Sequence, residues 1–219
     1  MTSEFTCILF DLDGTIVDSA PGITATLEYT FERLGFAPLS SEELIAFVGP
    51  PILDSFRDIA KLTPEQSAEA LVIYREKYLN DGAYDATAFP GVGGVLKKIH
   101  ESPLLMSLAT SKPELPATLI LEHFNLARYF DVITGASADE VRSAKADVVE
   151  EALVRLDALG ADLSRPVLIG DRIHDIEGAA AHGVPTILVE WGYGTEAEHE
   201  GALDVVGTPA ELITRLFRE

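Results

Sequence analysis

The chain has 219 residues, 47% hydrophobic and 24% charged, enough to fill one large domain or one domain carrying a smaller insert. Its 36 acidic and 16 basic residues give a formal net charge of −20, which disfavours nucleic acid and anionic lipid as partners. The single cysteine, Cys7, cannot form an internal disulfide, and neither a signal peptide nor an apolar run long enough to span a bilayer is apparent, so a cytoplasmic protein is expected.

The first apolar run, Thr6–Phe10, reads as a buried strand and stops at Asp11-Leu12-Asp13-Gly14-Thr15. From Ser19 to Asp85 the pattern is helical. Ile23, Leu27, Phe31 and Leu34 form one stripe ended by Gly35, and Ser40 with Glu43 and Thr63 with Gln66 have capping-box spacing. Gly82–Gly94, with Pro90, leads back to a second buried run, Leu104–Ala109. A helix over Ala144–Leu159 follows, with Val148, Val149, Ala152, Leu153 and Leu156 on one stripe. Further strands are expected at Val167–Ile169 and Thr186–Val189, and a last helix opens at Thr208-Pro209 with a capping box to Glu211. Continuous apolar runs alternating with helices predict an α/β fold, a doubly wound, Rossmann-like parallel sheet. We expect a core domain of residues 1–17 and 88–219 and a helical cap domain of residues 18–87, joined by two chain crossings.

In such a sheet, ligands bind beyond the carboxyl ends of the strands. The residues placed there are Asp11 and Asp13, then Thr110, Ser111 and Lys112, then Asp171 and Asp175. A like-charged pair 4 Å apart costs about 4 kcal/mol at an effective dielectric near 20, so a convergent acidic cluster needs a cation. Mg²⁺ takes oxygen ligands and usually only one or two carboxylates. Asp11 and Asp171 are the natural direct ligands, the Asp13 carbonyl is a further candidate, and Asp175 is placed to hold a coordinated water.

The spacing of Asp11 and Asp13 points to a division of labour. Asp11 is expected to attack phosphorus and form an aspartyl-phosphate, while Asp13, protonated beforehand, is expected to give its proton to the leaving alkoxide and then to deprotonate the hydrolytic water. Thr110 offers a hydroxyl to the phosphoryl oxygens, and the N–H of Ser111 is expected where a helix begins. The cation is Lys145 or Lys112. Each residue alone has an ordinary reading, Thr110 or Ser111 as a helix cap, Lys145 as a solvated lysine, Asp175 as a cap of the following helix; the joint placement is what points to chemistry.

Asp11-Leu12-Asp13-Gly14-Thr15, Thr110-Ser111, Lys145 and Gly170-Asp171-x-x-x-Asp175 resemble, in order, the four motifs of the haloacid dehalogenase superfamily. The resemblance implies a nucleophile at Asp11, an acid/base at Asp13, phosphoryl binding by Thr110 and Lys145, and Mg²⁺ held by Asp11, Asp13 through its carbonyl, and Asp171, with Asp175 supporting. It also implies that the helical insert is a cap. Phe47-Val48-Gly49-Pro50-Pro51, Ala109–Pro113 and Trp191-Gly192-Tyr193-Gly194 look like the phosphoglycolate phosphatase-like and 5′-nucleotidase-like branch. The expected partner is a small phosphorylated metabolite, acted on by a monomer or small homo-oligomer. A phosphomutase and a phospho-acceptor regulatory domain are the alternatives. Arg57 and Lys61 are weighed as partners of a substrate carboxylate, and the Gly49–Leu53 loop as a contact to the leaving group.

Overall fold

The computed structural model describes residues 3–217, so the ends of the expected core, residues 1–2 and 218–219, lie outside the described residues. The chain opens with β1 (Cys7–Phe10) and the short β2 (Val17–Asp18). Helices α1 (Ala20–Leu34), α2 (Ser41–Ala46), α3 (Ile52–Asp58) and α4 (Pro64–Asn80) follow, and then β3 (Thr87–Ala88). Next come α5 (Val92–His100), β4 (Leu105–Pro113), α6 (Glu114–His123) and β5 (Val132–Ala136). The rest is α7 (Lys145–Ala158), β6 (Pro166–Gly170), α8 (Ile173–Ala180), β7 (Thr186–Val189), β8 (Asp204–Val206) and α9 (Pro209–Leu216).

Six of these strands form one parallel sheet in the order β5-β4-β1-β6-β7-β8, the doubly wound α/β arrangement predicted. Side chains alternate across a strand. In β1, Ile8 and Phe10 join the larger core cluster on one face, and Cys7 and Leu9 meet Val148, Val149, Ala152 and Leu156 of α7 on the other. Both faces of β1 are therefore covered, and all four of its residues are at most 1% exposed. Burial also pushes the Cys7 thiol up to about 11, with Asp162 adding to the shift, which keeps it a packing residue.

The strands β5 and β8 escape the apolar-run reading because they are the sheet's edges. An edge strand is half-covered, so it lacks the continuous apolar run of an interior strand; Val132 and Ile133 in β5, and Asp204 and Val205 in β8, are only partly buried. The strand β4 runs four residues beyond Ala109, with a register shift against β5 between Ala109 and Pro113. This corrects one expectation: Ser111 lies in the irregular tail of β4, and α6 starts only at Glu114, after Pro113. Such irregularities re-aim side chains, and here Thr110, Ser111 and Lys112 are all buried.

Between β2 and β3 the described residues are helical apart from turns, and β2 pairs antiparallel with β3, Val17 opposite Ala88. The stripe of α1 is buried at Ile23, Leu27 and Phe31, and Gly35 closes the helix at φ 67°. The predicted capping boxes at Ser40/Glu43 and Thr63/Gln66 are both formed. At Thr208 only half forms: its hydroxyl accepts from the Glu211 N–H, but the Glu211 carboxylate turns to the Gly207 N–H at 2.8 Å. Phe31, Phe47, Phe56 and Tyr74 pack edge-on or tilted at 5.8–6.4 Å, an aromatic group within the same buried cluster as Ile8 and Phe10. No helix among the described residues is long and apolar enough to cross a membrane.

Candidate active site

The parallel register puts the carboxyl ends of β1, β4 and β6 at one level, Phe10 being opposite both Leu108 and Ile169. Asp11, Thr110 and Asp171 therefore emerge together, although far apart in sequence. The Asp11 N–H still donates to the Ile169 carbonyl at 2.9 Å, so its position is set by the sheet itself.

Asp11, Asp171 and Asp175 each offer a carboxylate oxygen to one cluster, these atoms lying within 4.8 Å of one another, and all three residues are buried. Lys145, the first residue of α7, reaches into the cluster. Its Nζ is 2.7 Å from Asp11 Oδ1 and 2.7 Å from Asp175 Oδ1, and it donates to the Ala109 carbonyl at 2.9 Å. Burial alone would lower the lysine's pKa, but Asp11 and Asp175 carry it above the ordinary value. Asp175 also secures the start of α8, its Oδ2 accepting from the N–H groups of Asp171 and Arg172, both at 3.0 Å. Asp175 therefore caps α8 and also contacts Lys145 within the acidic cluster.

One lysine is set against three buried carboxylates. Burial pushes Asp11 up to about 6, with Lys145 opposing and Asp175 reinforcing the shift. Asp171 is held well above the carboxylate range, by burial first and then by Asp175 and Asp11. Its Oδ2 accepts from the Tyr193 N–H at 2.7 Å, whereas its buried Oδ1 has no hydrogen-bond partner among the described residues. A buried carboxylate oxygen without a donor is costly. An all-oxygen donor set with an orphaned oxygen and surplus negative charge fits a hard dication. Gly14 keeps the space open: at φ +81° it has a backbone that disfavours side chains, and a Cβ there would lie 2.1 Å from Asp171 Oδ2.

Asp13 faces a different way. The Ser19 hydroxyl donates to its Oδ1 at 2.5 Å, and Lys112 Nζ lies 3.0 Å from its Oδ2. Lys112 also donates to the Tyr78 hydroxyl at 2.9 Å and sits 4.6 Å from that ring's centroid. The two lysines left as alternatives therefore serve different carboxylates, Lys145 beside Asp11 and Lys112 beside Asp13. Thr110 accepts from the Lys112 N–H at 3.3 Å. Asp13, Ser111 and Lys112 border a cavity of about 250 Å³ under the insert. Ser111 and Lys145 border a second opening, of about 520 Å³, with Arg172 and His174.

Several contributors carry no motif. Ser19 sits at the N-cap of α1, but its hydroxyl is given to Asp13 and does not cap. Tyr193 takes over: its hydroxyl accepts from the N–H groups of Ser19 (2.9 Å) and Ala20 (3.0 Å) and donates to Asp18 at 2.7 Å. The available signal was its place just beyond β7, in Trp191-Gly192-Tyr193-Gly194. Removing this hydroxyl takes the acceptor from the Ser19 N–H and leaves the Ala20 N–H only its 3.3 Å bond to Asp18 Oδ1, so Tyr193→Phe is expected to lower unfolding free energy by about 1–3 kcal/mol, measured by urea denaturation. Arg57 is engaged by Asp54 and Asp58 and is exposed, so it does not face the cavity. Gly49, Pro50 and Ile52 of the expected loop do border it, and Arg75 and Glu140, unmarked in the sequence, stand at its edge.

The sequence profile described as haloacid dehalogenase-like hydrolase matches residues 8–189. Tyrosine-protein kinase PtkA of Mycobacterium tuberculosis is 40% identical over 210 residues, 95% of this chain and 70% of that protein. A 5′-nucleotidase of Pseudomonas aeruginosa is 35% identical over 191 residues, 87% of this chain and 85% of its own length. Among solved structures, a predicted phosphatase from Clostridium acetobutylicum superposes with a TM-score of 0.89 at 33% identity, covering 96% of this chain and 97% of that one.

Proposed function

This chain belongs to the haloacid dehalogenase-like hydrolase family and hydrolyses phosphate esters, and on that footing we propose a Mg²⁺-dependent phosphomonoesterase that works through an aspartyl-phosphate on Asp11. The observation that carries the reading is the placement of Asp11, buried between Lys145 and the Asp171/Asp175 pair, while Asp13 opens onto an adjoining cavity. The names of the 5′-nucleotidase and the phosphoglycolate phosphatases among its relatives support small phosphate esters as the substrate class.

Asp11, Asp171 and the Asp13 carbonyl would hold the metal, with Asp175 supporting. When bound, the ion supplies positive charge to the acidic cluster and to the phosphate oxygens. Lys145 fixes the Asp11 carboxylate through Oδ1. A carboxylate oxygen of Asp11 bonds to phosphorus as the ester P–O bond breaks, and Asp13 gives its proton to the departing oxygen. Asp13 then takes a proton from the water that attacks the aspartyl-phosphate, releasing inorganic phosphate and restoring Asp11. Thr110, Ser111 and Lys145 are the donors for the phosphoryl oxygens. The segment 18–87 acts as a cap that surrounds the leaving group and excludes water.

The test is release of inorganic phosphate from p-nitrophenyl phosphate, nucleotides, sugar phosphates and 2-phosphoglycolate in Mg²⁺. Turnover of at least one soluble monoester, without any added sugar diphosphate, is expected; a strict requirement for such an activator would instead favour a phosphomutase. A second reading passes the phosphoryl group from Asp11 to an acceptor hydroxyl in place of water, and the kinase name of a 40% identical relative favours it. A phosphorylated acceptor in place of free phosphate would establish that reading.

A further inference from the structure

On the phosphomonoesterase reading, the cavity beside Asp13 is where the departing part of the substrate would sit. Phe47, Ile52, Tyr74, Tyr78 and Leu115 form much of its wall. The Tyr74 and Tyr78 rings stack with centroids 5.5 Å apart and planes 6° from parallel. Among the described residues lining it, the cations are Lys112 and Arg75, and each is already matched: Lys112 by Asp13, and Arg75, from α4, by Glu140, from the loop between β5 and α7.

Glu140 is the more deeply set partner, its side chain 6% exposed against 36% for Arg75. It also occupies φ 61°, a left-handed conformation that a non-glycine residue seldom adopts. Its N–H donates to the Ser137 carbonyl at 3.0 Å, and the Asp139 carboxylate accepts from the Ser137 hydroxyl and, at 3.1 Å, from the Val141 N–H. The turn thus holds an acid against Arg75 at a conformational cost, where a glycine would meet none.

We propose that Glu140 is a specificity-determining residue: by neutralising Arg75 it restricts the cavity to phosphate monoesters with an uncharged, ring-bearing leaving group and turns away esters with a second anionic group. This rests on the phosphomonoesterase reading. A substrate carboxylate entering here would lose its water among apolar walls and find no unmatched cation. A flat uncharged ring would instead gain contact with the aromatic wall.

The experiment compares kcat/KM for uridine 5′-monophosphate and 2-phosphoglycolate, both alkyl esters, in the wild type, Glu140→Gln, and the double variant Glu140→Gln/Arg75→Gln. The wild type is expected to favour the nucleotide. Glu140→Gln, by freeing Arg75, is expected to raise 2-phosphoglycolate relative to the nucleotide by about ten- to a hundredfold, and the double variant to lose that gain. Three results overturn the inference: no nucleotide preference in the wild type, an unchanged ratio in Glu140→Gln, or a gain that survives loss of Arg75. A thermal melt checks that Glu140→Gln folds, and the wild-type ratio decides the matter if it does not. Hydrolysis without the preference sinks this inference alone, whereas no hydrolysis of any monoester removes the phosphomonoesterase reading with it.

Discussion

Asp11→Asn lowers kcat for phosphate release by about 10⁴-fold or more, because an amide oxygen is a poor nucleophile and the covalent route is lost. The fold is expected to persist. Asparagine is nearly isosteric, the main-chain bond from residue 11 to the Ile169 carbonyl is untouched, and Lys145 keeps Asp175 at 2.7 Å. The substitution also removes a carboxyl that burial makes hard to ionise, pushed up to about 6, so thermal stability in chelator is expected to hold or rise. A variant that folds and melts like the wild type yet turns over substantially would end the nucleophile assignment. Asp13→Ala gives the companion result, a loss of about 10²–10⁴-fold, with retained formation of phospho-enzyme from esters whose leaving groups need no proton. Acid-quenched samples probed for acyl-phosphate check this directly.

Chelation with EDTA abolishes activity and added Mg²⁺ restores it; unchanged rates in chelator would remove the metal from the reading. Activity is not the sole readout, since an ion that binds only the folded chain also stabilises it by mass action. Mg²⁺ is therefore expected to raise Tm, and Asp171→Asn, which changes the residue with the orphaned Oδ1, to blunt that rise. The pH dependence follows from the direction of the shifts. Asp11 and Asp171 hold protons more tightly when folded than unfolded, so between the ordinary carboxylate pKa and the folded value the native state binds more protons. Stability from these two groups is complete at low pH and is lost as pH rises, for Asp11 through about 6. In EDTA, Tm should fall across that window. In Mg²⁺ the trend reverses, because protons compete with the ion and its affinity grows as the carboxylates ionise. Melting curves over a pH series, with chelator and with Mg²⁺, separate the two cases; a metal-independent pH profile would contradict the assignment of this cluster as the ion site.

Much of this arrangement was legible in the chain itself. Buried interior strands such as β1 and β7 announce themselves as largely apolar runs, because burial on both faces disfavours polar residues, and the one in β7, Thr186, is hydrogen-bonded to the Asp175 carbonyl. Helix starts at Ser40, Thr63 and Thr208 are equally local, since a capping side chain reaches only three residues ahead. The acidic residues placed after those runs converge for a simple reason: once a sheet is parallel, the ends of its strands share one edge, so Asp11 and Asp171 meet without any further information.

What only the tertiary structure decided depends on contacts between distant segments. The edge strands β5 and β8 exist by pairing with their neighbours more than by their own pattern. The pairing of β4 with β5 carries the strand past Ser111 and moves the start of α6 to Glu114. Lys145 and Lys112 are both lysines near the same crevice, and apart from the motif resemblance at Lys145 nothing local distinguishes them. Their partners, Asp11 with Asp175 for one and Asp13 with Tyr78 for the other, come from how α7 and α4 pack over the strand ends. The same holds for Tyr193 capping α1 across 174 positions of chain and for Glu140 meeting Arg75 across 65. Local chemistry is written in neighbouring residues, while the match of one charge to another is a property of the packed molecule.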